Sequence, residues 1–202
     1  SPGHPDKLCD YLSDTVLDYV LSQDKSARVA CETFVKGKTN EAGTVVIGGE
    51  ITTEAELDID NLVRSAILEI GYDSNELGFN GRECEIIKLL TKQSPDIQMG
   101  VDRKEKKKQG AGDQGLMFGY ATNETSSLMP SPIYYSHRLV EKQTSLLREK
   151  ELAWLRPDAK SQVTFSYKDD KPISVDTVVL STQHTSNISL DELRKFVKDE
   201  II

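Results

Sequence analysis

Apolar residues recur every fourth position at Leu8, Leu12, Val16 and Val20, which predicts a helix from Pro5 to about Leu21. Pro5 suits its first position, where no backbone N–H is needed. Alternation then replaces the helical period. Val29–Lys36 and Thr44–Thr52 read as strands on either side of the turn-rich Gly37–Gly43. Ile59, Leu62, Val63, Ala66, Ile67 and Ile70 restore helical spacing until Gly71 stops it, and Glu83–Leu90 reads as a further strand. In the second half, Leu116–Ala121 is apolar enough for a strand and Pro132–Glu149 carries a helical pattern. Val163–Tyr167 and Ile173–Thr182 flank a hairpin turn at Asp169-Asp170-Lys171. Ser189-Leu190-Asp191-Glu192 is a capping box opening a last helix.

The order of elements repeats between the halves without repeating the sequence. This predicts an α+β fold of two units, each a sheet with helices on one face: residues 1–92, then 110–202. Between them, residues 93–109 are polar and lack a steady period, and an irregular connection of that length is usually functional or disordered. Its end, Arg103-Lys104-Glu105-Lys106-Lys107-Lys108, is strongly basic. A solvated tether is the plainer reading of that run, and attraction of an incoming anion is the alternative.

Composition narrows the class. The 202 residues are 37% hydrophobic and 29% charged, the balance of a soluble globular protein with a modest core. No apolar run reaches the length of a membrane span, no charged-then-apolar leader opens the chain, and cytoplasm is the default expectation. A net charge of −8 argues against general nucleic-acid binding. Cys9, Cys31 and Cys84 are scattered, which predicts reduced thiols rather than a disulfide or a structural zinc site. His137 falls within a helical pattern, so a structural role is expected, and His184 ends a strand.

Three segments carry candidate chemistry. In Gly110-Ala111-Gly112-Asp113-Gln114-Gly115, glycines crowd one acid, a pattern that lets backbone approach a ligand while the carboxylate grips a cation. A tight turn entering a strand explains it equally well. Gly3-His4-Pro5-Asp6-Lys7 places a donor, a hard oxygen ligand and a cation at a helix N-terminus, which suits a magnesium-bound phosphate. In Arg156-Pro157-Asp158-Ala159-Lys160-Ser161-Gln162-Val163, Asp158 and Lys160 share side-chain parity if the strand begins early, and could face one site. A surface ion pair beside a proline turn is the modest alternative.

Taken in order with Cys31-Glu32-Thr33, Gly48-Gly49-Glu50-Ile51-Thr52, Lys92-Gln93-Ser94-Pro95-Asp96-Ile97, Trp154–Val163 and Leu180-Ser181-Thr182-Gln183-His184, these segments resemble the S-adenosylmethionine synthetase (methionine adenosyltransferase) family along essentially the whole sequence. Two departures stand out. Ser1-Pro2 replaces the family's usual serine-glutamate, and the sequence stops before the family's third C-terminal unit. The resemblance implies three such units about a pseudo-threefold axis, two of them present, with residues 93–109 as a mobile loop gating the active site through Gln93, Ile97 and Arg103. It implies a transferase of one-carbon metabolism that joins the sulfur of L-methionine to the 5′ carbon of ATP and then hydrolyses the displaced triphosphate to phosphate and diphosphate.

By the same resemblance, His4 and Lys160 are catalytic, and His4, Asp158, Ala159 and Lys160 contact ATP. Glu50, Gln93 and Asp113 bind methionine, Asp6 binds magnesium and Glu32 potassium. Active sites of the family lie between subunits, which implies a homodimer or homotetramer. The family's third unit supplies basic phosphate contacts, a magnesium-binding acid and part of the nucleobase pocket, so the sequence by itself is expected to be incomplete for activity. A catalytically silent regulatory or binding subunit is the alternative from another class. Gly48 and Gly49 suggest close backbone approach beside Glu50 or a β-bulge.

Overall fold

The computed structural model describes residues 1–92, 94, 96, 110–111, 113–149 and 152–202. The first helix, α1 (Pro5–Gln23), buries Leu8, Leu12, Val16 and Val20, the stripe that its period predicts. Strands β1 (Arg28–Lys36) and β2 (Thr44–Thr52) pair antiparallel in an unbroken register from Arg28↔Thr52 to Lys36↔Thr44. Helix α2 (Ile59–Ile70) ends at Gly71, whose φ of 108° lies in the region that glycine tolerates. After the short pair β3 (Asp73–Ser74) and β4 (Phe79–Asn80), strand β5 (Glu85–Thr91) joins β2 in parallel, giving the order β1-β2-β5. Both helices cover one face of this sheet. Val45, Ile47 and Ile51 of β2 are buried there with α1 and with Ile59, Val63 and Ile67 of α2.

The second half is simpler than expected. Helix α3 (Ser131–Arg148) packs on a two-stranded ribbon of β6 (Leu155–Lys168) and β7 (Lys171–His184). Asp169 and Asp170 turn the ribbon with φ of 50° and 58°, the paired positive angles of a tight hairpin. Helix α4 (Leu190–Phe196) carries both halves of the predicted capping box. At the N-terminus of α3, Glu124 supplies the side-chain acceptor. Its carboxylate accepts the Ser131 N–H at 2.9 Å and the Tyr167 hydroxyl at 2.7 Å. Those bonds, the Ser131 N–H first, hold Glu124 below the usual carboxylate range.

One predicted strand is absent. Residues 116–121 pair with nothing among the described residues, and Phe118 is 93% exposed. A strand needs a partner for its N–H and C=O groups, and an apolar run does not create one. The ribbon also begins at Leu155, eight residues before the expected Val163. Among the described residues no helix is long and apolar enough to cross a membrane. All three cysteines are free thiols, and burial raises the pKa of each.

Asp24 ties the end of α1 to the end of β2. Its carboxylate accepts from the Ser26 N–H and hydroxyl, the Thr53 hydroxyl and the Glu54 N–H, all within 3.1 Å. These bonds, the Glu54 N–H first, lower its pKa to about 2. A carboxylate with a depressed folded pKa stabilises above its unfolded value, and the contribution fades as pH falls through the folded one. Asp24→Asn is therefore expected to lower stability at neutral pH and to flatten the acid limb between about pH 4 and 2, followed by urea midpoints across that range.

Candidate functional site

His4 is the N-cap of α1. Its Nδ1 accepts the Asp6 N–H at 3.2 Å, satisfying one of the four orphan donors of the first turn. A ring nitrogen that accepts a backbone N–H has its lone pair committed, so in this geometry the proton sits on Nε2, the other end of the ring. The 3.9 Å approach of Nδ1 to the Asp6 carboxylate is accordingly not an ion pair. Asp6 is 88% exposed at the helix N-terminus. Lys7, expected to serve the same site, instead donates to Asp10 at 2.7 Å along the helix, and that carboxylate holds its ammonium above the usual lysine range.

The second component is the start of β6. Leu155, Pro157 and Ala159 are buried, so Asp158 and Lys160 share the other parity, as an early strand start requires. Ser1 lies directly on this strand. Ser1 Oγ donates to the Pro157 carbonyl at 2.8 Å and accepts the Ala159 N–H at 2.8 Å, and the Ser1 backbone nitrogen donates to the Ala159 carbonyl at 2.9 Å. A Cβ on Gly3 would stand 2.4 Å from the Pro157 carbonyl carbon and oxygen, so only glycine lets the two backbones meet. Tyr72, buried beside them, donates its hydroxyl to the Gly3 carbonyl at 2.5 Å. Burial, and then the Asp158 carboxylate, push the Tyr72 pKa up, which keeps it a donor. Asp158 Oδ1 is buried without a hydrogen-bond partner among the described residues. An unsatisfied carboxylate oxygen costs about 1–3 kcal/mol, a cost that an arriving donor would relieve.

The structure thus brings the segments carrying His4, Asp158, Ala159 and Lys160 into backbone contact. Glu32, Glu50 and Asp113 are not part of that contact. Glu32 and Glu50 share the sheet face opposite the helices, in register with Gly48 and Ala30. Gly49 has φ 121°, and a Cβ there would meet the Ala30 carbonyl oxygen at 2.1 Å; at Gly48 the nearest atom would be 3.8 Å away. Close approach therefore explains Gly49, while Gly48 has no such requirement. Asp113 is exposed and accepts the N–H of its neighbour Gln114 at 2.7 Å. Among the described residues, no hydrogen bond or ion pair joins Glu32, Glu50 or Asp113 to the His4–Lys160 region, and no group of three His, Cys, Asp or Glu side chains could hold a metal by itself. Gln93, Ile97, Arg103 and the lysine-rich run lie outside the described residues.

A cleft of about 670 Å³ between α1 and α3 is lined by Lys7, Asp10, Tyr11, Glu69, His137 and Arg148, and by none of the predicted site residues. His137 is exposed in it. His184 Nδ1 lies 2.7 Å from the Thr185 carbonyl. Sequence reasoning gives no role to Ser1, Gly3 or Tyr72: Gly3 reads only as the opening of the motif before His-Pro-Asp, Ser1 only as part of a departure, and Tyr72 leaves no signal.

Two family models match this chain. Residues 1–95 match the S-adenosylmethionine synthetase N-terminal domain, and residues 108–202 match the S-adenosylmethionine synthetase central domain.

Proposed function

Because this chain belongs to the S-adenosylmethionine synthetase family, we propose that it contributes to adenosyl transfer from ATP to L-methionine, through a site built on the contact between the His4 arm and the Asp158–Lys160 strand. The observation that carries this reading is the Ser1–Ala159 and Gly3–Pro157 contact, which joins residues more than 150 positions apart. The methionine thioether is already a competent nucleophile, so no base is required to activate it. The protein has to align sulfur, carbon and leaving oxygen and oppose the charge gained by the triphosphate. His4 Nε2–H and the Lys160 ammonium are the donors proposed for that charge. Asp158, whose buried oxygen has no donor among the described residues, is proposed to accept from the nucleoside.

Asp6 offers one exposed carboxylate, which fits magnesium held mainly by phosphate oxygens and water. When bound, that ion supplies positive charge against the triphosphate. Glu32 would give potassium one oxygen on the open sheet face. Net charge of −8 makes such local cations necessary, since like charges about 4 Å apart cost ~4 kcal/mol at an effective dielectric near 20.

Glu50, Gln93 and Asp113 are proposed to bind methionine, Asp113 through its ammonium. Asp113→Asn is expected to raise the KM for methionine about 10- to 100-fold with the KM for ATP little changed, as loss of a charge-assisted bond predicts. A change confined to magnesium dependence would reassign Asp113 as a metal ligand. Self-association is proposed through the open face of β1-β2-β5, where Phe34 and Leu89 are 61% and 62% exposed, and through residues 116–120.

The test is incubation of the full-length protein with ATP, L-methionine, magnesium and potassium. S-adenosylmethionine with equal phosphate and diphosphate, one water consumed per turnover, supports the reading. Absence of product, together with an altered KM of an active relative on mixing, would instead make it a silent regulatory subunit.

A further inference from the structure

We propose that Ser1 is a positioning residue for the reaction: its hydroxyl sets the register between the arm carrying His4 and the strand carrying Asp158 and Lys160, without touching substrate. This rests on the function proposed above and assigns it a residue outside the predicted site. Two bonds of the Ser1 hydroxyl bracket Asp158: it donates to the carbonyl before it and accepts the N–H after it. The β6–β7 ladder shifts register between Leu155 and Ala159, so regular pairing with β7 is interrupted along this stretch. The Ser1 hydroxyl supplies a donor and an acceptor where the ladder does not. The Ser1 bonds grip one backbone edge of the strand, while Asp158 and Lys160 share one side-chain face and Pro157 and Ala159 the other, because successive strand residues alternate.

The path from Ser1 to His4 has little slack. The His4 N–H donates to the Ser1 carbonyl at 3.1 Å, closing a turn, and Gly3 is held between Pro157 and the Tyr72 hydroxyl. His4 itself rides on α1, whose buried stripe belongs to the first core cluster, whereas Leu155 at the start of the strand belongs to the second. Losing the Ser1 hydroxyl would leave both cores intact and loosen the relation between His4 and the strand. Misplacement of a reacting group by about 1 Å can cost on the order of a hundredfold in rate.

The experiment compares wild-type full-length protein with Ser1→Ala and Ser1→Thr. Single-turnover adenosyl transfer is expected to fall about tenfold in Ser1→Ala, equivalent to about 1.4 kcal/mol. The KM for methionine should stay within about twofold, and hydrolysis of added triphosphate should be unchanged. Ser1→Thr, which keeps a hydroxyl, should restore transfer. Amide exchange at Ala159 should quicken in Ser1→Ala alone, a readout independent of catalysis. Unchanged transfer in Ser1→Ala, transfer and triphosphate hydrolysis falling together, or failure of Thr to restore would each overturn the positioning role. Wild-type protein that makes no S-adenosylmethionine would overturn the proposed reaction, and this role with it; an active wild type with an unaffected Ser1→Ala would overturn this role alone.

Discussion

Replacement of His4 by Asn is expected to lower single-turnover adenosyl transfer by about 10²- to 10³-fold, the usual consequence of deleting one donor aimed at developing negative charge. The same substitution should leave stability and ATP affinity nearly unchanged. Asn is among the best N-cap residues, and its side-chain oxygen can replace Nδ1 as the acceptor for the Asp6 N–H. It lacks any counterpart of Nε2. His4→Gln reverses the exchange, since its longer amide can approach the Nε2 position while the cap is lost. The contrast separates the two ends of one imidazole. A stopped-quench time course for transfer, a thermal melt for stability and ATP titration together decide it. Near-normal transfer in His4→Asn would remove His4 from the chemistry.

The largest expected effect on folding comes from Gly49→Ala. A Cβ at this position would lie 2.1 Å from the Ala30 carbonyl oxygen, on backbone of φ 121°. Neither atom can give way without breaking the β1–β2 ladder at Cys31↔Gly49, in the middle of the sheet that carries Glu50. A loss of roughly 3–5 kcal/mol is expected, enough to unfold a marginal domain. The adjacent Gly48→Ala is the control. Its nearest neighbour would be an ordinary 3.8 Å away, and a change within about 0.5 kcal/mol is expected. Urea midpoints of the two variants measure the difference. Equal midpoints would contradict the geometry of this sheet.

The elements legible in the sequence are those whose signal is local. The bounds of β2, the stop of α2 at Gly71 and the Ser189–Glu192 capping box follow from alternation, glycine and cap chemistry within a few residues. Elements defined by distant partners were not legible. Residues 116–121 have strand composition, yet no described edge pairs with them. The early start of β6 was hidden by Pro157 and by charges that alternate with its buried positions. Lys7 looked available for a phosphate, but Asp10 stands three residues along the same helix face and takes it. Among candidate site residues, the meeting of the His4 arm with the Asp158 strand depends on Ser1, Gly3 and Tyr72, whose partners are 69 or more positions away. No short motif encodes such a meeting.

The two hydrophobic clusters have a practical consequence. The larger gathers α1, α2 and the three-stranded sheet; the smaller centres on Leu146, Leu155 and Ile201. The chain's single tryptophan, Trp154, belongs to the smaller, its ring edge-on to Phe196 at 5.1 Å. Indole emission thus watches one interior alone, while helical circular dichroism sums over both. Disagreement between those two signals during denaturation would be the optical signature of interiors that melt separately rather than a fault in either trace.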